Sequence, residues 1–382
     1  MLRFRRPRLA LAVACLALLA GAAWPAVAPL RTAARTALLV PSLFAVSPVR
    51  PLEWFGPAPA TETVPLRPEP DAAYGLIVRP PGEGPYPGVV VSLGVEPAPP
   101  DDPRVVTFTR ALARHGFAVL LVVSEALDER RLEPHEVDVL VAAVRTLQER
   151  PYVDPARVGL AGFSVGGSLA LLAAADPAVR DQILFVNAMG PYYRVEDLAR
   201  AATTARACLD GACRPWEPDR LTRDVVRSNL LATLEPADRA RVQRLLAEPG
   251  GGPGTAPPLP DPAGAVYAML AAPDPARFDE RFARLPEDQV RKFRALSPAG
   301  RLAEVRARVF LMHAAGDPYI PVTESRRILA EARSAGVRVY YSETAIFEHV
   351  DLTGADPPLL LRDAVKLLAH VYFLLRLAER GG

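Results

Sequence analysis

The stretch that most constrains the fold runs from Arg157 to Leu172, where an apolar segment meets Gly162-Phe-Ser-Val-Gly166 and a run of good helix formers follows. A Gly-x-Ser-x-Gly string in this setting indicates a sharp turn between a strand and a helix. Such a turn projects the Ser164 hydroxyl from the chain, so that a base can reach it from one side and a substrate from the other. Gly162 and Gly166 leave room for the tight turn. We therefore predict Ser164 as a nucleophile; the alternative is an ordinary turn of small residues.

The same turn places Ser164 at the start of a helix, whose free N–H groups and positive dipole end favour a developing oxyanion. We expect the backbone N–H of Val165 to be one donor of an oxyanion hole. The second donor is expected from the loop that follows the apolar segment Gly88–Leu93, where Gly94 and Val95 are the candidates.

Continuous apolar segments alternate with helical patterns on both sides of this turn. Strands that are apolar throughout are typical of a parallel sheet covered by helices on both faces. The sequence therefore predicts an α/β fold with a mostly parallel, doubly wound sheet. The predicted strands are 61–66, 73–78, 88–93, 117–123, 158–163, 183–188, 309–313 and 337–341.

The strand pattern is interrupted in the middle of the chain. Residues 191–300 are charged and helical in pattern, and we predict that they form a helical lid inserted between two parts of the core, 61–190 and 301–382. The segment 31–60 carries prolines at positions 41, 48, 51, 57 and 59 and is predicted to be a tether.

A nucleophilic serine needs a base, and the base needs a group that orients it. Asp317 follows the strand that ends at His313, and His349 lies one helix and one strand further along the chain. Both positions fall at the carboxyl edge of the sheet, where active-site residues of open α/β sheets gather. We predict Asp317 as the acid and His349 as the base, since the rival acids Glu348 and Asp351 are too close in sequence to orient that histidine.

The remaining histidines fit other roles. His115 ends a predicted helix, where a cation complements the dipole, and His135 opens a helix on a surface turn. His370 lies among apolar residues of the last helix and is expected in the core. His313 stands beside the loop of Asp317 and is expected to support it.

The N-terminal residues 1–30 are predicted to be a membrane anchor or a signal segment. Four arginines precede Leu9–Leu30, an uncharged stretch long enough as a helix to cross the hydrocarbon core. The arginines favour a cytoplasmic N-terminus and place the rest of the chain on the other side, at the cell membrane or, after cleavage, secreted. Cleavage would fall near Gly21-Ala-Ala23 or Ala26-Val-Ala28.

Cysteine usage agrees with export. Cys208 and Cys213 are close in sequence and are predicted to form a disulfide, the alternative being two reduced buried thiols. Two cysteines without nearby histidines supply too few ligands for a metal, so no metal site is expected. The net charge of +2 and the absence of a basic stripe in the sequence argue against nucleic-acid binding.

The sequence resembles the α/β-hydrolase superfamily through three motif regions in order: Gly162–Gly166, His313–Pro321 and Phe347–His349. It is most similar to the bacterial branch called dienelactone-hydrolase-like or acyl-peptidase-like, through Tyr74–Pro81 and Leu296–Pro298. The resemblance implies the α/β-hydrolase fold and a Ser-Asp-His hydrolase that needs no cofactor. Dienelactone hydrolases proper use cysteine at the nucleophile position, and dehalogenases and epoxide hydrolases use aspartate, whereas this chain has Ser164.

These observations together predict a serine hydrolase that acts through an acyl-enzyme intermediate on a small-molecule or acyl ester. A peptidase or amidase with the same triad is the alternative among enzymes. A catalytically silent hydrolase fold that serves as a binding protein is the alternative from another class.

Overall fold

The computed structural model describes residues 27–45, 47, 49–54, 58–67, 71–248, 259–345, 347–348, 351–352 and 357–380. Its strands are β1 (Ala60–Arg67), β2 (Ala73–Arg79), β3 (Tyr86–Ser92), β4 (Ala118–Ser124), β5 (Val153–Phe163), β6 (Ile183–Met189), β7 (Arg206–Leu209), β8 (Ala212–Pro215), β9 (Arg308–Ala314), β10 (Val339–Thr344), β11 (Phe347–Glu348) and β12 (Asp351–Leu352).

The helices begin with α1 over residues 27–42. The others are α2 (Pro103–His115), α3 (Glu125–Asp128), α4 (His135–Gln148), α5 (Val165–Ala175), α6 (Val195–Thr204), α7 (Arg220–Ala232), α8 (Pro236–Ala247), α9 (Ala263–Ala271), α10 (Phe278–Phe282), α11 (Glu287–Ala295), α12 (Val322–Ser334) and α13 (Pro357–Arg380).

Eight strands form one sheet in the order β1-β2-β4-β3-β5-β6-β9-β10. The pairs β1–β2 and β2–β4 are antiparallel, and the five pairs from β4 to β10 are parallel. The α/β fold with a mostly parallel sheet, predicted from the alternating apolar segments, is therefore confirmed.

The two faces of the sheet carry different helices. Val90, Leu160 and Val186 point into a core formed with helices such as α4, α5 and α12. Their neighbours in sequence, such as Val89 and Ala161, pack on the other face with α1, α2 and α13. Side chains of a strand alternate between faces, so strands that are apolar throughout can supply both cores.

Helix α1 differs from the tether predicted for residues 31–60. Leu39 is only 1% exposed, and Arg35 pairs with Glu379 of α13 at 2.9 Å and donates to the backbone oxygen of His115 at 2.7 Å. The tether prediction rested on prolines, yet the first of them in this segment stands at position 41. The preceding residues are free to form a helix that packs on the body of the protein.

The predicted membrane or signal segment lies almost wholly in residues 1–26, outside the described part of the chain. Within the described part, no helix combines the length and the apolar character that crossing a membrane requires.

Between β6 and β9 the chain forms helices α6 to α11, in the region predicted as a helical lid. It also forms a two-stranded antiparallel hairpin, β7–β8, where the sequence pattern indicated helices. A disulfide joins Cys208 to Cys213 across this hairpin. We call the segment from α6 to α11 the insertion. Residues 249–258, within it, lie outside the described residues.

Because α1 packs on the body of the protein, a charge on its buried face should destabilise the fold. Leu39→Lys places an ammonium in an apolar environment and is expected to lower the free energy of unfolding by about 2 kcal/mol or more. The matched change Leu38→Lys, at a neighbouring residue that is 40% exposed, is expected to have little effect. Urea unfolding measures both variants, and equal stabilities would show that α1 does not dock.

Candidate active site

Ser164 lies at the turn between β5 and α5 with φ 55° and ψ −128°. Its N–H donates to the backbone oxygen of Met189 at 2.7 Å, and its carbonyl accepts from the N–H of Gly167 at 2.9 Å. A residue with a side chain seldom adopts a positive φ, and such strain persists only where the surroundings enforce it. The backbone of Ser164 therefore has the sharp conformation that exposes a nucleophile.

The two glycines of the motif are required by close backbone packing. A Cβ at Gly162 would stand 2.1 Å from the backbone oxygen of Gly166, and a Cβ at Gly166 would stand 2.5 Å from that of Ser92. Neither backbone oxygen can move without distorting β3 or α5. The first turn of α5 is thus packed closely against the end of β5 on one side and the end of β3 on the other.

The three candidates for the oxyanion hole lie around this turn. Val165 is the first residue of α5. Gly94 has φ 94°, and a Cβ on it would approach the backbone oxygen of Phe163 to 2.9 Å and the Cβ of Ser164 to 3.4 Å. Val95 is half-buried and lines the same cavity as Ser164. The fold brings these residues together, and their role as donors stays a prediction.

Asp317 follows β9 on a buried loop, and the residue is only 1% exposed. Its Oδ1 accepts from the N–H groups of Tyr319 at 2.7 Å and Ile320 at 3.0 Å, and its Oδ2 lies 3.4 Å from Nε2 of His313. These contacts fix the carboxyl group in one orientation. We call residues 315–321 the acid loop.

His313 has both ring nitrogens engaged inside the protein. Nδ1 contacts Oγ of Ser325 at 2.6 Å, and Nε2 contacts the backbone oxygen of Ile320 at 2.8 Å. The imidazole thus supports the acid loop, as expected from the sequence.

His349, the predicted base, lies outside the described residues, between β11 and β12. Strand β10, which precedes it, ends at Thr344 opposite Ala314, the last residue of β9. The backbone oxygen of Thr344 accepts from the N–H of Ala315 at 2.7 Å. Strands β9 and β10, which precede Asp317 and His349 in the sequence, therefore end at the same edge of the sheet.

Two further histidines are buried and uncharged. Burial lowers the pKa of His115 and of His370 to about 3 each. The expectation that His115 acts as a cation at the end of α2 is therefore wrong, because desolvation outweighs the attraction of the helix dipole. His370 is in the core as predicted, and its Nε2 contacts Oδ1 of Asn187 at 2.8 Å.

Contacts from the insertion to the acid loop were not anticipated. The indole N–H of Trp216 donates to the backbone oxygen of Asp317 at 2.7 Å. The backbone N–H of Asp219 donates to the oxygen of Pro318 at 2.7 Å, and the hydroxyl of Thr222 donates to the oxygen of Tyr319 at 2.9 Å. About a hundred residues separate the partners, so no local pattern signals these bonds.

A cavity of about 690 Å³ opens beside Ser164. Residues from the sheet, α1, α2, α13, the acid loop and the insertion line it, and most are aliphatic or aromatic. The side chain that the motif exposes is thus one wall of a large apolar space.

The hydrogen bond from Trp216 is expected to hold the acid loop in place. Trp216→Phe removes the donor and keeps a ring, and the loss of one such bond, worth about 1 kcal/mol, corresponds to about fivefold faster local opening. Amide hydrogen exchange of a peptide that contains Tyr319 and Ile320, followed by mass spectrometry, measures this. Trp54→Phe, at a side chain that is 65% exposed, is the control. Unchanged exchange in the Trp216 variant would contradict the proposed support.

Known proteins resemble this chain over limited stretches. A model of the dienelactone hydrolase family matches residues 74–196. The peroxisomal succinyl-coenzyme A thioesterase of Mus musculus is 31% identical over 31% of this chain and 27% of that protein, so this chain spans about a quarter of that relative.

Solved structures are similar over more of the chain. The acylaminoacyl peptidase of Pyrococcus horikoshii has a TM-score of 0.47 and 13% identity over 85% of this chain and 42% of that one. A puromycin-hydrolyzing peptidase of Mycobacterium tuberculosis has a TM-score of 0.48 and 16% identity over 82% of this chain and 38% of that one. Residues 74–196 match the dienelactone hydrolase family, and the mostly parallel sheet with a strained serine between β5 and α5 is an α/β-hydrolase-like fold.

Proposed function

We propose that the protein is a serine hydrolase that cleaves carboxylic esters through an acyl-enzyme intermediate on Ser164. The observation that carries the proposal is the strained backbone of Ser164 at the head of α5, beside a large apolar cavity and on the same sheet edge as the buried acid loop. Strain of this kind concentrates at sites where a side chain must be presented to a substrate.

The reaction follows from the roles assigned to these residues. Oγ of Ser164 attacks the ester carbonyl while His349 takes its proton, and Asp317 holds the imidazole in the correct tautomer. The N–H groups of Val165 and of Gly94 or Val95 receive the oxyanion of the tetrahedral intermediate. His349 then returns the proton to the departing alcohol, and a water molecule, activated by the same histidine, hydrolyses the acyl-serine ester.

Esters are favoured over amides by the character of the site. The cavity walls are mostly aliphatic and aromatic and offer few partners for the polar groups of a peptide backbone. Two of the names among the sequence matches, dienelactone hydrolase and succinyl-coenzyme A thioesterase, denote cleavage of an ester or a thioester. A peptidase or amidase remains the alternative among enzymes.

A fluorophosphonate probe tests the nucleophile directly. The full chain is expected to be labelled, and labelling should be lost in Ser164→Ala but kept in Ser228→Ala, which changes an exposed serine of α7.

Hydrolysis of p-nitrophenyl esters should fall by about 10⁴-fold or more in Ser164→Ala and in His349→Ala, because the triad acts as a unit. Asp317→Asn should cost a comparable factor through the wrong tautomer.

The outcomes separate the alternatives. A folded wild-type protein that the probe does not label would favour a silent hydrolase fold with a binding role. Cleavage of peptide anilides without cleavage of p-nitrophenyl esters would favour a peptidase. Full activity of His349→Ala would mean that another group is the base.

We further propose that the catalytic body lies outside the cytoplasm, attached through the N-terminal segment or released by its cleavage. The arginine-flanked stretch Leu9–Leu30 supports this, and the disulfide between Cys208 and Cys213 is typical of an oxidising compartment. Alkaline phosphatase fused to the C-terminus, active only outside the cytoplasm, is expected to be active. A fluorescent reporter that matures only in the cytoplasm should stay dark, and the reverse pattern would contradict the topology.

A further inference from the structure

The cavity beside Ser164 follows one face of the sheet away from the catalytic edge. Its floor includes Ala161 and Phe163 of β5, and Phe185, Asn187 and Met189 of β6, which are two residues apart on each strand and so share a face. Phe163 pairs with Met189 next to the nucleophile, and Phe185 lies four residues back along β6. At 3.3 Å per residue the floor is about 13 Å long.

The opposite wall is formed by helices far apart in the sequence. Its residues are aliphatic or aromatic: Leu39 from α1, Phe108 and Leu112 from α2, and Leu367, Val371 and Leu374 from α13. These six side chains can offer a ligand contact and exclusion of water, but no hydrogen bond.

Among the described residues that line the cavity, charge is confined to the open end. The charged lining residues are Glu96 and Arg104, whose side chains are 44% and 59% exposed. Deeper along the floor, His370 contacts Asn187 and stays neutral because burial lowers its pKa to about 3. The interior therefore suits an uncharged hydrocarbon.

The volume of the cavity indicates a ligand site. Protein interiors are close-packed and rarely hold voids larger than a water molecule. A volume of about 690 Å³ instead falls in the range of ligand sites. Because Ser164 lines this space, the occupant must present a carbonyl carbon at the edge while its apolar part extends along the floor.

We propose that the space between the sheet and helices α1, α2 and α13 is an acyl-chain site, and that the substrates are esters of medium or long unbranched acyl groups. The alcohol part would lie on the other side of Ser164, against Leu221 and Val225 of α7 in the insertion. This inference rests on the proposed esterase function, because it assigns the acyl half of that substrate.

The test compares p-nitrophenyl acetate, butyrate, octanoate, laurate and palmitate on the full chain. Each buried methylene can raise kcat/KM up to about fourfold until the floor is filled. We expect octanoate or laurate to exceed butyrate by about tenfold or more. Equal kcat/KM along the series, or a maximum at acetate, would overturn the acyl-chain site while leaving the esterase in place.

Three variants locate the acyl chain of the substrate. Ala161→Leu fills the floor partway along and is expected to lower kcat/KM for octanoate and laurate by about tenfold while leaving acetate within about twofold. Leu374→Trp narrows the same space from the helix side and keeps the test valid if the first variant does not fold. In contrast, Val225→Phe, on the insertion side, should change the preference for alcohol length and keep the acyl-length optimum. A shift of the acyl optimum by Val225→Phe alone would place the acyl chain under the insertion and overturn the proposal.

A binding measurement separates this inference from the esterase proposal. Ser164→Ala in the full chain is titrated with cis-parinaric acid, a fluorescent fatty acid, and compared with the double variant Ser164→Ala/Ala161→Leu. Binding that the second substitution weakens by about tenfold supports the acyl-chain site even if no ester is hydrolysed, in which case only the esterase proposal fails. Absence of binding, together with a kcat/KM that does not depend on acyl length, would overturn the acyl-chain site alone.

Discussion

The structure depends on the close approach of three backbone segments at Ser164. The end of β5, the first turn of α5 and the end of β3 are so near one another that neither Gly162 nor Gly166 has room for a Cβ. This packing holds Ser164 at a positive φ, a conformation that would relax if any of the three segments could move. The strand order also restrains β5, since this strand is paired with β3 on one side and β6 on the other.

The acid loop is held from inside the sheet and from the insertion. His313 contacts the backbone of Ile320 from β9, whereas Trp216 and Thr222 donate hydrogen bonds to the backbone oxygens of Asp317 and Tyr319. The disulfide-closed hairpin β7–β8 comes directly before Trp216. The insertion therefore has a structural connection to the position of the acid, in addition to lining the cavity with residues of α6 and α7.

What the sequence predicts well is what a short stretch determines by itself. The strand, turn and helix around Ser164, and the place of Asp317 after β9, follow from apolar runs and from glycine and proline positions. Helix α1 was missed because the prolines of residues 31–60 outweighed the helix-forming stretch before them. The prediction that His115 is charged was wrong because its burial depends on Phe117 and α1. The sequence does not show that these lie beside the imidazole. The hydrogen bond between Trp216 and Asp317, and a cavity bounded by α1 and α13, arise only from tertiary packing.

The two faces of the sheet contribute differently to the site: one is tightly packed, and the other borders a cavity. On one face, every residue of α5 is buried, and the helix packs against α4 and the strands without amphipathic patterning. A helix enclosed in this way can resist the strain at its first turn. On the other face, α1 and α13 are tied to each other by Arg35 and Glu379 while leaving a cavity above β5 and β6. Because strand side chains alternate, β5 can pack Leu160 into the core that contains α5 and present Ala161 and Phe163 to the apolar cavity beside Ser164.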